Sequence, residues 1–314
     1  MTERRLRPQS WDDLIGNDHW KLIIRRLVSA AKERGEQPEH ILFDGPPGLG
    51  KTAMSVLTQA EISDGGKRSY AGQSSAEITA ELYALDGGEA IFIDELHALA
   101  PEAVEIVQLA MEGTPVGGRF DAPVAPWTLI GATTKPGQIE APIRDRFGLT
   151  VKLDYYPDDE IAQIAGRSAE KLDMELQPKA ADEVATRSRG VPRIANRLLR
   201  RVRDVYNTPT PRQVDEVLVE LGVDSWGLET CDRALLMLMY ERFEGGPVGL
   251  RTIAAASGID PQTLAEGVEP YLLRAGLIDV RERGRQLTAA GFAYCKLIRS
   301  RLDSTKLKRP SSAN

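Results

Sequence analysis

Short apolar runs alternate with longer segments of helical pattern in the first half of the chain. Four runs rich in β-branched and aromatic residues indicate strands at 40–43, 90–93, 127–130 and 150–153. The segments around them indicate helices at 18–34, 51–62, 75–86 and 101–111. Because these strands are apolar on both faces and alternate with helices, they predict an α/β fold with a parallel sheet covered on both sides.

The pattern changes twice further along the chain. Helices alone are predicted at 158–172, 179–188 and 192–206. Three more, at 229–242, 250–257 and 261–273, precede two short strands around the turn Arg283-Gly284, an order that resembles a winged helix. We therefore predict an α/β domain at 1–155, a helical domain at 156–225, a winged-helix domain at 226–300 and a basic, flexible tail at 301–314.

Composition excludes several classes of protein. The 314 residues are 42% hydrophobic and 27% charged, which is typical of globular proteins and not of disordered or collagen-like chains. No apolar run approaches the roughly 20 residues of a membrane span, and the polar N-terminus does not look like a signal peptide. Cys231 and Cys295 are too few for a disulfide framework, so we expect a cytosolic protein. The net charge of −6 argues against uniform coating of nucleic acid but leaves room for a local basic face.

A phosphate-binding loop follows the first predicted strand. Residues 45–52, GPPGLGKT, fit the P-loop pattern and lead into a helix, as that motif requires. Gly45, Gly48 and Gly50 allow backbone N–H groups to surround phosphates. Lys51 is expected to reach the β- and γ-phosphates, and Thr52 to bind Mg²⁺. ATP and Mg²⁺ are therefore the predicted ligands.

Further candidate catalytic residues follow later strands. Asp94 and Glu95 end the strand 90–93, where one carboxylate can hold the metal and the other can activate water. Thr134 ends the next strand and can sense the γ-phosphate, although threonine is common there. Arg146 is either half of a surface ion pair or a finger for a neighbouring subunit's ATP. Arg193 begins a helix of the second domain and can reach back to the phosphates.

Taken in order, these motifs resemble the AAA+ ATPases, and more specifically the RuvB family of Holliday-junction branch-migration motors. The resemblance runs from about residue 5 to 290, across all three domains. It rests on segments that include GPPGLGKT (45–52), FIDELH (92–97), TLIGATT (128–134), RDRFG (144–148), RIANRLLRRVRD (193–204), GGPVGL (245–250) and EPYLLRAGLI (269–278).

The resemblance implies a function and a role for each matching position. It implies ATP hydrolysis coupled to translocation of duplex DNA by a hexameric ring, in recombination and repair. Arg146 matches the finger that acts in trans, Thr134 matches sensor 1 and Arg193 matches sensor 2. Residues around the adenine and ribose would be Leu6, Arg7, Ile15, Tyr156 and Pro192. DNA contacts would come from the wing residues Arg281, Arg283 and Arg285.

Residues 113–126 depart from the family pattern. The family has a long β-hairpin here that docks on the partner RuvA, whereas this segment is shorter and lacks the apolar alternation. Lys135 also replaces an arginine common after sensor 1, and Val280 replaces another, with Arg281 next to it. We therefore predict a divergent member or paralogue, and we leave contact with a RuvA-like partner open.

Other interpretations remain open at this point. The alternative function is an ATP-switched DNA-binding or loading protein without processive movement. A protein-remodelling machine would need a pore loop, but Tyr70-Ala71-Gly72 lies at a strand end and not in the loop beyond it. The arginine stripe on the helix 192–206 is either a subunit or DNA interface or a solvated face; its members are Arg193, Arg197, Arg200 and Arg201.

Overall fold

The computed structural model describes residues 5–63, 69–70, 74–115 and 123–306. The chain divides into two compact units, residues 1–214 and 215–314. The predicted domain boundaries at 155, 225 and 300 stay predictions. Within the described ranges, no helix combines the length and the hydropathy of a membrane span.

A five-stranded parallel sheet forms the centre of the first unit. Its strands are β1 (Ile41–Asp44), β2 (Ser69–Tyr70), β3 (Glu89–Ile93), β4 (Trp127–Thr133) and β5 (Leu149–Lys152). They lie in the order β2-β3-β4-β1-β5, and every neighbouring pair is parallel. The predicted parallel α/β sheet is thus confirmed. The register brings Asp44 beside Thr133, so the carboxyl ends of β1 and β4 meet at one edge.

The helices around this sheet are α1 (Asp18–Arg34), α2 (Lys51–Ile62), α3 (Ser75–Tyr83), α4 (Pro101–Met111) and α5 (Ala141–Arg144). The first four lie at or near their predicted positions, whereas the short α5 was not predicted from the sequence. Helix α3 ends three residues before the predicted residue 86, and the chain then turns through Gly87 and Gly88, which both have positive φ. The middle of β1, Ile41 to Phe43, is at most 1% exposed, which explains the continuous apolar run.

Helices continue beyond the sheet, as predicted. They are α6 (Asp158–Lys171), α7 (Pro178–Thr186), α8 (Pro192–Arg203) and α9 (Pro211–Glu220). The last three begin with proline, whose fixed φ suits the first helical position. Helix α9 was not predicted from the sequence, although Pro211 marks its start. Helix α8 ends three residues before the predicted residue 206.

The second unit contains the predicted helices and hairpin. Its elements are α10 (Thr230–Arg242), α11 (Leu250–Ser257), α12 (Pro261–Thr263), a π-helical turn (Leu264–Val268), α13 (Glu269–Arg274), β6 (Ile278–Arg281), β7 (Gly284–Leu287) and α14 (Ala289–Lys306). Strands β6 and β7 form an antiparallel wing. Its core includes Leu236, Met239, Leu272 and Leu277, each fully buried.

Three sequence-based predictions fall partly or wholly outside the described residues. Helix α14 continues to Lys306, six residues into the predicted tail, and residues 307–314 lie beyond the described part. Half of the shortened segment 113–126, residues 116–122, lies outside it as well. So do Ala71 and Gly72 of the weighed pore motif.

Candidate nucleotide site

The P-loop connects the end of β1 to the start of α2 through a tightly packed turn. Gly48 has φ +85°, and a Cβ there would lie 2.8 Å from Cγ1 of Val191. Gly45 has φ +149°, and its Cβ would lie 2.5 Å from the carbonyl oxygen of Leu153. A side chain fits at neither position. The loop therefore keeps the bare backbone that a phosphate cradle needs.

Lys51 lies inside this loop and is 6% exposed. Its Nζ donates to the carbonyl oxygens of Gly45 at 2.6 Å and Pro46 at 2.9 Å. Burial lowers the pKa of Lys51, while three nearby carboxylates act in the opposite direction. The ammonium group is thus held within the loop, close to the carboxylates of Asp94 and Glu95.

Two oxygen ligands suited to Mg²⁺ meet beside the P-loop. Thr52 Oγ1 donates to Asp94 Oδ2 at 3.0 Å, although 42 residues separate them. A hydroxyl and a carboxylate are hard donors, and Mg²⁺ commonly takes one or two protein ligands with phosphate and water completing the shell. The residues present therefore fit the predicted nucleotide and its metal ion.

Glu95 lies next to this pair in a constrained position. Its backbone is left-handed, with φ 49° and ψ 53°. Its Oε2 accepts hydrogen bonds from Thr134 N at 3.2 Å and from Thr134 Oγ1 at 3.0 Å. Thr134 thus contacts the nucleotide site through Glu95, which brings the predicted sensor 1 residue and the predicted base together.

One cleft in the first unit collects most of the predicted site. Of the predicted residues, those lining it are Leu6, Arg7, Ile15, Gly48, Gly50, Lys51, Thr52, Asp94, Glu95, Tyr156, Pro192 and Arg193. Gly45, Thr134 and Arg146 do not line it. Gly45 lies behind the loop against Leu153, which is why its surface is not part of the cleft.

Tyr156 joins three segments at the apolar end of the cleft. It is 6% exposed, donates its hydroxyl to Leu49 O at 3.3 Å and accepts from Asn17 Nδ2 at 2.7 Å. Burial raises the pKa of Tyr156 to about 12, so the ring stays neutral. Its backbone N–H donates to Gly190 O at 2.9 Å, which places the start of α8 beside the P-loop.

Arg193 stands where α8 meets the P-loop. Its backbone N–H donates to Gly48 O at 3.3 Å. Arg200, two turns further along α8, also lines the cleft, whereas Arg197 does not. Arg201 lies 3.3 Å from Asp204 in an exposed ion pair. The arginine stripe is therefore divided, with Arg193 and Arg200 facing the cleft.

Sequence reasoning missed an ion cluster at the rim of the cleft. Asp13 lies 3.8 Å from Arg167 and 3.7 Å from Lys171, which are neighbours on one face of α6. A hydrogen bond from the Gln9 N–H lowers the pKa of Asp13, and both cations lower it further. Lys171 Nζ also donates to Arg7 O at 3.3 Å. These contacts hold the N-terminal segment that lines the cleft against α6. In the sequence, the only indication of the cluster was that its two cations are four residues apart on a predicted helix.

Arg146 lies away from the cleft of its own subunit. Its guanidinium pairs with the Glu112 carboxylate and donates to Pro142 O. Arg144, in contrast, forms the exposed local ion pair with Asp145, at 3.7 Å. The two arginines of the RDRF segment thus have different surroundings.

The three arginines of the wing also differ from one another. Arg285 forms two bonds with the 7% exposed Glu269, Nε to Oε1 at 2.8 Å and Nη2 to Oε2 at 3.1 Å. Arg281 Nε pairs with Asp279 at 2.8 Å on the exposed surface. Arg283, in the turn, has no ion pair or hydrogen bond among the described residues. The three DNA contacts that the resemblance implies stay predictions; of them, Arg285 pairs the wing with Glu269 at the start of α13.

The fold and the cleft define the class of protein. A parallel sheet with a P-loop, an Asp-Glu pair at the end of the adjoining strand and a helical segment that brings an arginine to the loop make an AAA+ ATPase. The chain belongs to the RuvB family. Residues 6–153 match the "Holliday junction DNA helicase RuvB P-loop domain", residues 156–229 the "RuvB AAA lid domain" and residues 225–296 the "RuvB C-terminal winged helix domain".

Individual relatives agree over nearly the whole chain. The Holliday junction branch migration complex subunit RuvB of Acidothermus cellulolyticus is 41% identical, covering 93% of this chain and 84% of that protein. Its counterpart in Kosmotoga olearia is 39% identical, covering 94% and 91%. The Thermotoga maritima RuvB Holliday junction branch migration motor superposes with a TM-score of 0.82 at 37% identity, covering 93% of this chain and 98% of that chain.

A more distant likeness shows the fold alone. The Aeropyrum pernix ORC2 protein superposes with a TM-score of 0.59 at 15% identity. That level of identity gives no support to the alternative of a DNA-loading protein.

Proposed function

We propose that this protein is an ATP-dependent DNA motor that drives branch migration of Holliday junctions by translocating on duplex DNA. The observation that carries this proposal is the collinear match of all three domains to RuvB, combined with a P-loop, Asp94 and Glu95 arranged around one cleft. The protein would act in the cytosol, where its DNA substrate lies.

Within the cleft, each group has a separate task in hydrolysis. Lys51 and the backbone N–H groups after Gly48 neutralise the phosphates, and Thr52 with Asp94 holds Mg²⁺. The metal ion, when bound, withdraws charge from the phosphate oxygens. Glu95 orients and deprotonates the attacking water, with Thr134 holding its carboxylate. Leu6, Ile15 and Tyr156 surround the adenine end, and Arg193 links α8 to the phosphates.

The ring arrangement explains the position of Arg146. Because its guanidinium lies outside its own cleft, it would complete the cleft of a neighbouring subunit. A finger of this kind is worth about 10³ to 10⁵ in turnover in characterised systems. We therefore propose a homo-oligomeric ring, with six subunits as the family resemblance implies.

On the wing, Arg283 is the strongest candidate for DNA contact. It is the wing arginine without an intramolecular partner among the described residues, and its exposed turn can reach a phosphate. Contacts to the backbone give little sequence preference and strong salt dependence. Residues 113–126 are shorter than the hairpin on which the family's RuvA docks, so the proposal includes no contact with a RuvA-like partner.

The direct test is ATP hydrolysis with a four-way junction, with linear duplex and without DNA, for the wild type and Arg146→Ala. We expect DNA to raise turnover, and we expect Arg146→Ala to abolish it while ATP binding persists. Mixing Arg146→Ala with Lys51→Ala should restore part of the activity, because each subunit supplies what its neighbour lacks. If DNA does not change ATP turnover and Arg146→Ala turns over ATP normally, the proposed motor and its active site between subunits would be contradicted.

A further inference from the structure

His97 is a polar residue of the site that the proposed function leaves without a task. It lies in the 3₁₀ turn Leu96–Ala98, directly after Glu95, and its side chain is 13% exposed. Its Nδ1 is 2.9 Å from Thr133 Oγ1 and 3.4 Å from Glu95 Oε2. It does not line the nucleotide cleft. The ring therefore lies beside Glu95 without forming part of the cleft wall.

Thr133 gives this ring a rigid support. Thr133 is fully buried at the end of β4, and its Oγ1 also accepts the backbone N–H of Lys135 at 3.0 Å. The side chain of Glu95 is 41% exposed, and Thr134 bonds it at Oε2. A residue fixed to the sheet thus lies within reach of the same carboxylate oxygen that Thr134 bonds.

Two oxygen atoms near Nδ1 bear on which ring nitrogen carries hydrogen. The carboxylate of Glu95 can only accept, and the Thr133 hydroxyl can also accept. A hydrogen on Nδ1 therefore has two acceptors, whereas a bare Nδ1 would face the lone pairs of a carboxylate. This favours the tautomer with hydrogen on Nδ1, bonded to Thr133 and directed past Oε2 of Glu95.

We propose that His97 is a positioning residue that orients the carboxylate of Glu95 for attack by water. Thr134 holds Oε2 from one side, and the Nδ1–H of His97, fixed by Thr133, limits its rotation from the other. The residue acts through hydrogen-bond geometry and touches neither nucleotide nor metal. This inference rests on the proposed role of Glu95 as the group that activates water.

The test compares two substitutions at His97 whose side chains have the same branched arrangement of heavy atoms. His97→Asn can place an amide N–H where Nδ1–H was, whereas His97→Leu places a methyl group there. We expect kcat of ATP hydrolysis to fall about tenfold or more in His97→Leu and to stay within about threefold of wild type in His97→Asn. The ATP dissociation constant should change less than twofold in both. His19→Leu, at an exposed histidine, is the matched control.

A second pair of variants tests the inference even if His97→Leu fails to fold. Thr133→Val removes the support of the ring, and Thr133→Ser keeps it. We expect Thr133→Val to lower kcat as His97→Leu does, with little further loss in the double variant, because both remove the same constraint. Equal losses in His97→Asn and His97→Leu, or additive losses in the double variant, would overturn the inference.

Glu95→Gln separates the inference from the function on which it rests. If Glu95→Gln keeps normal turnover, the proposed role of Glu95 is wrong, whatever the histidine variants do. If Glu95→Gln abolishes turnover while His97→Leu hydrolyses ATP at the wild-type rate, the role of Glu95 stands and the positioning by His97 is wrong.

Discussion

In the nucleotide cleft, cationic side chains surround an open space; in the wing, two of three arginines are neutralised by carboxylates of their own unit. Lys51, Arg193 and Arg200 all line the cleft. Arg285 and Arg281 are instead paired with Glu269 and Asp279. A charge that faces a cleft remains available to a ligand, whereas a charge already paired mainly stabilises the fold. Charge in the sequence therefore says less about binding than the geometry around it.

The largest contrast should appear when one cation is removed from the cleft. Lys51→Ala deletes the ammonium group that the P-loop carbonyls hold in place. We expect turnover to fall more than about a hundredfold, because phosphate charge is left without its nearest counter-charge. Lys179→Ala, at an exposed position of α7, should leave turnover unchanged. Steady-state ATP hydrolysis measures the turnover of both variants. Near-normal turnover of Lys51→Ala would show that ATP is not hydrolysed in this cleft.

In the wing, the corresponding change should affect stability. Arg285→Ala leaves Glu269 buried without its partner, so we expect the free energy of unfolding to fall by about 2 kcal/mol. Arg283→Ala should stay within about 0.5 kcal/mol of wild type. Urea denaturation followed by circular dichroism measures both. Equal stability of the two variants would show that the Arg285–Glu269 pair does not fix the wing.

Acidification should weaken the first unit selectively, because all three histidines lie there. Burial lowers the pKa of His40 from 6.5 to about 4, and its Nδ1 accepts the backbone N–H of Leu129 at 2.8 Å. The unfolded chain therefore binds the proton first as pH falls. The stabilisation is complete above pH 6.5 and is lost between there and pH 4.

This linkage amounts to about 2 kcal/mol between pH 7 and pH 5. Urea denaturation at the two pH values, in the wild type, His40→Gln and the exposed-site control His19→Gln, measures it. We expect His40→Gln to lose most of the pH dependence and His19→Gln to keep it. An unchanged dependence in His40→Gln would assign the effect to other groups.

The smallest effect should come from the free arginine of the wing. Arg283→Ala should weaken duplex binding about equally for unrelated sequences and should reduce the slope of log affinity against log salt by about 1. Arg281→Ala is the matched control, since Arg281 is already paired with Asp279 and should change the slope less. Fluorescence anisotropy over a salt series measures the slopes. A larger change in the salt slope for Arg281→Ala than for Arg283→Ala would indicate that Arg281, and not Arg283, contacts the DNA.

Features set by local sequence patterns could be predicted, whereas features set by contacts between distant residues could not. The P-loop and the Asp94-Glu95 pair could be found because their chemistry demands fixed residue types at fixed spacing after a buried strand. The parallel sheet followed from apolar runs, which burial on both faces requires. Helix α9 was not predicted because its short helical pattern of apolar residues directly follows Pro209 and Pro211, which are typical of a turn.

Residues whose role depends on a distant partner could not be predicted. The Arg285–Glu269 pair joins positions 16 apart, and the Asp13 cluster joins the N-terminal segment to α6 across more than 150 residues. His97 belongs to the FIDELH motif, yet its position next to Glu95 depends on a contact with Thr133 at the end of another strand. Spacing along the chain carries none of these contacts; only the fold brings the partners together.

Branch migration of a synthetic four-way junction is the measurement that bears most directly on the proposed motor. The wild-type protein with ATP and Mg²⁺ should convert a labelled junction into duplex products, faster at low salt than at high salt. It should fail to do so with a non-hydrolysable ATP analogue or with Arg146→Ala, although junction binding persists. Binding and ATP hydrolysis without any product would contradict the motor and favour an ATP-switched DNA-binding protein.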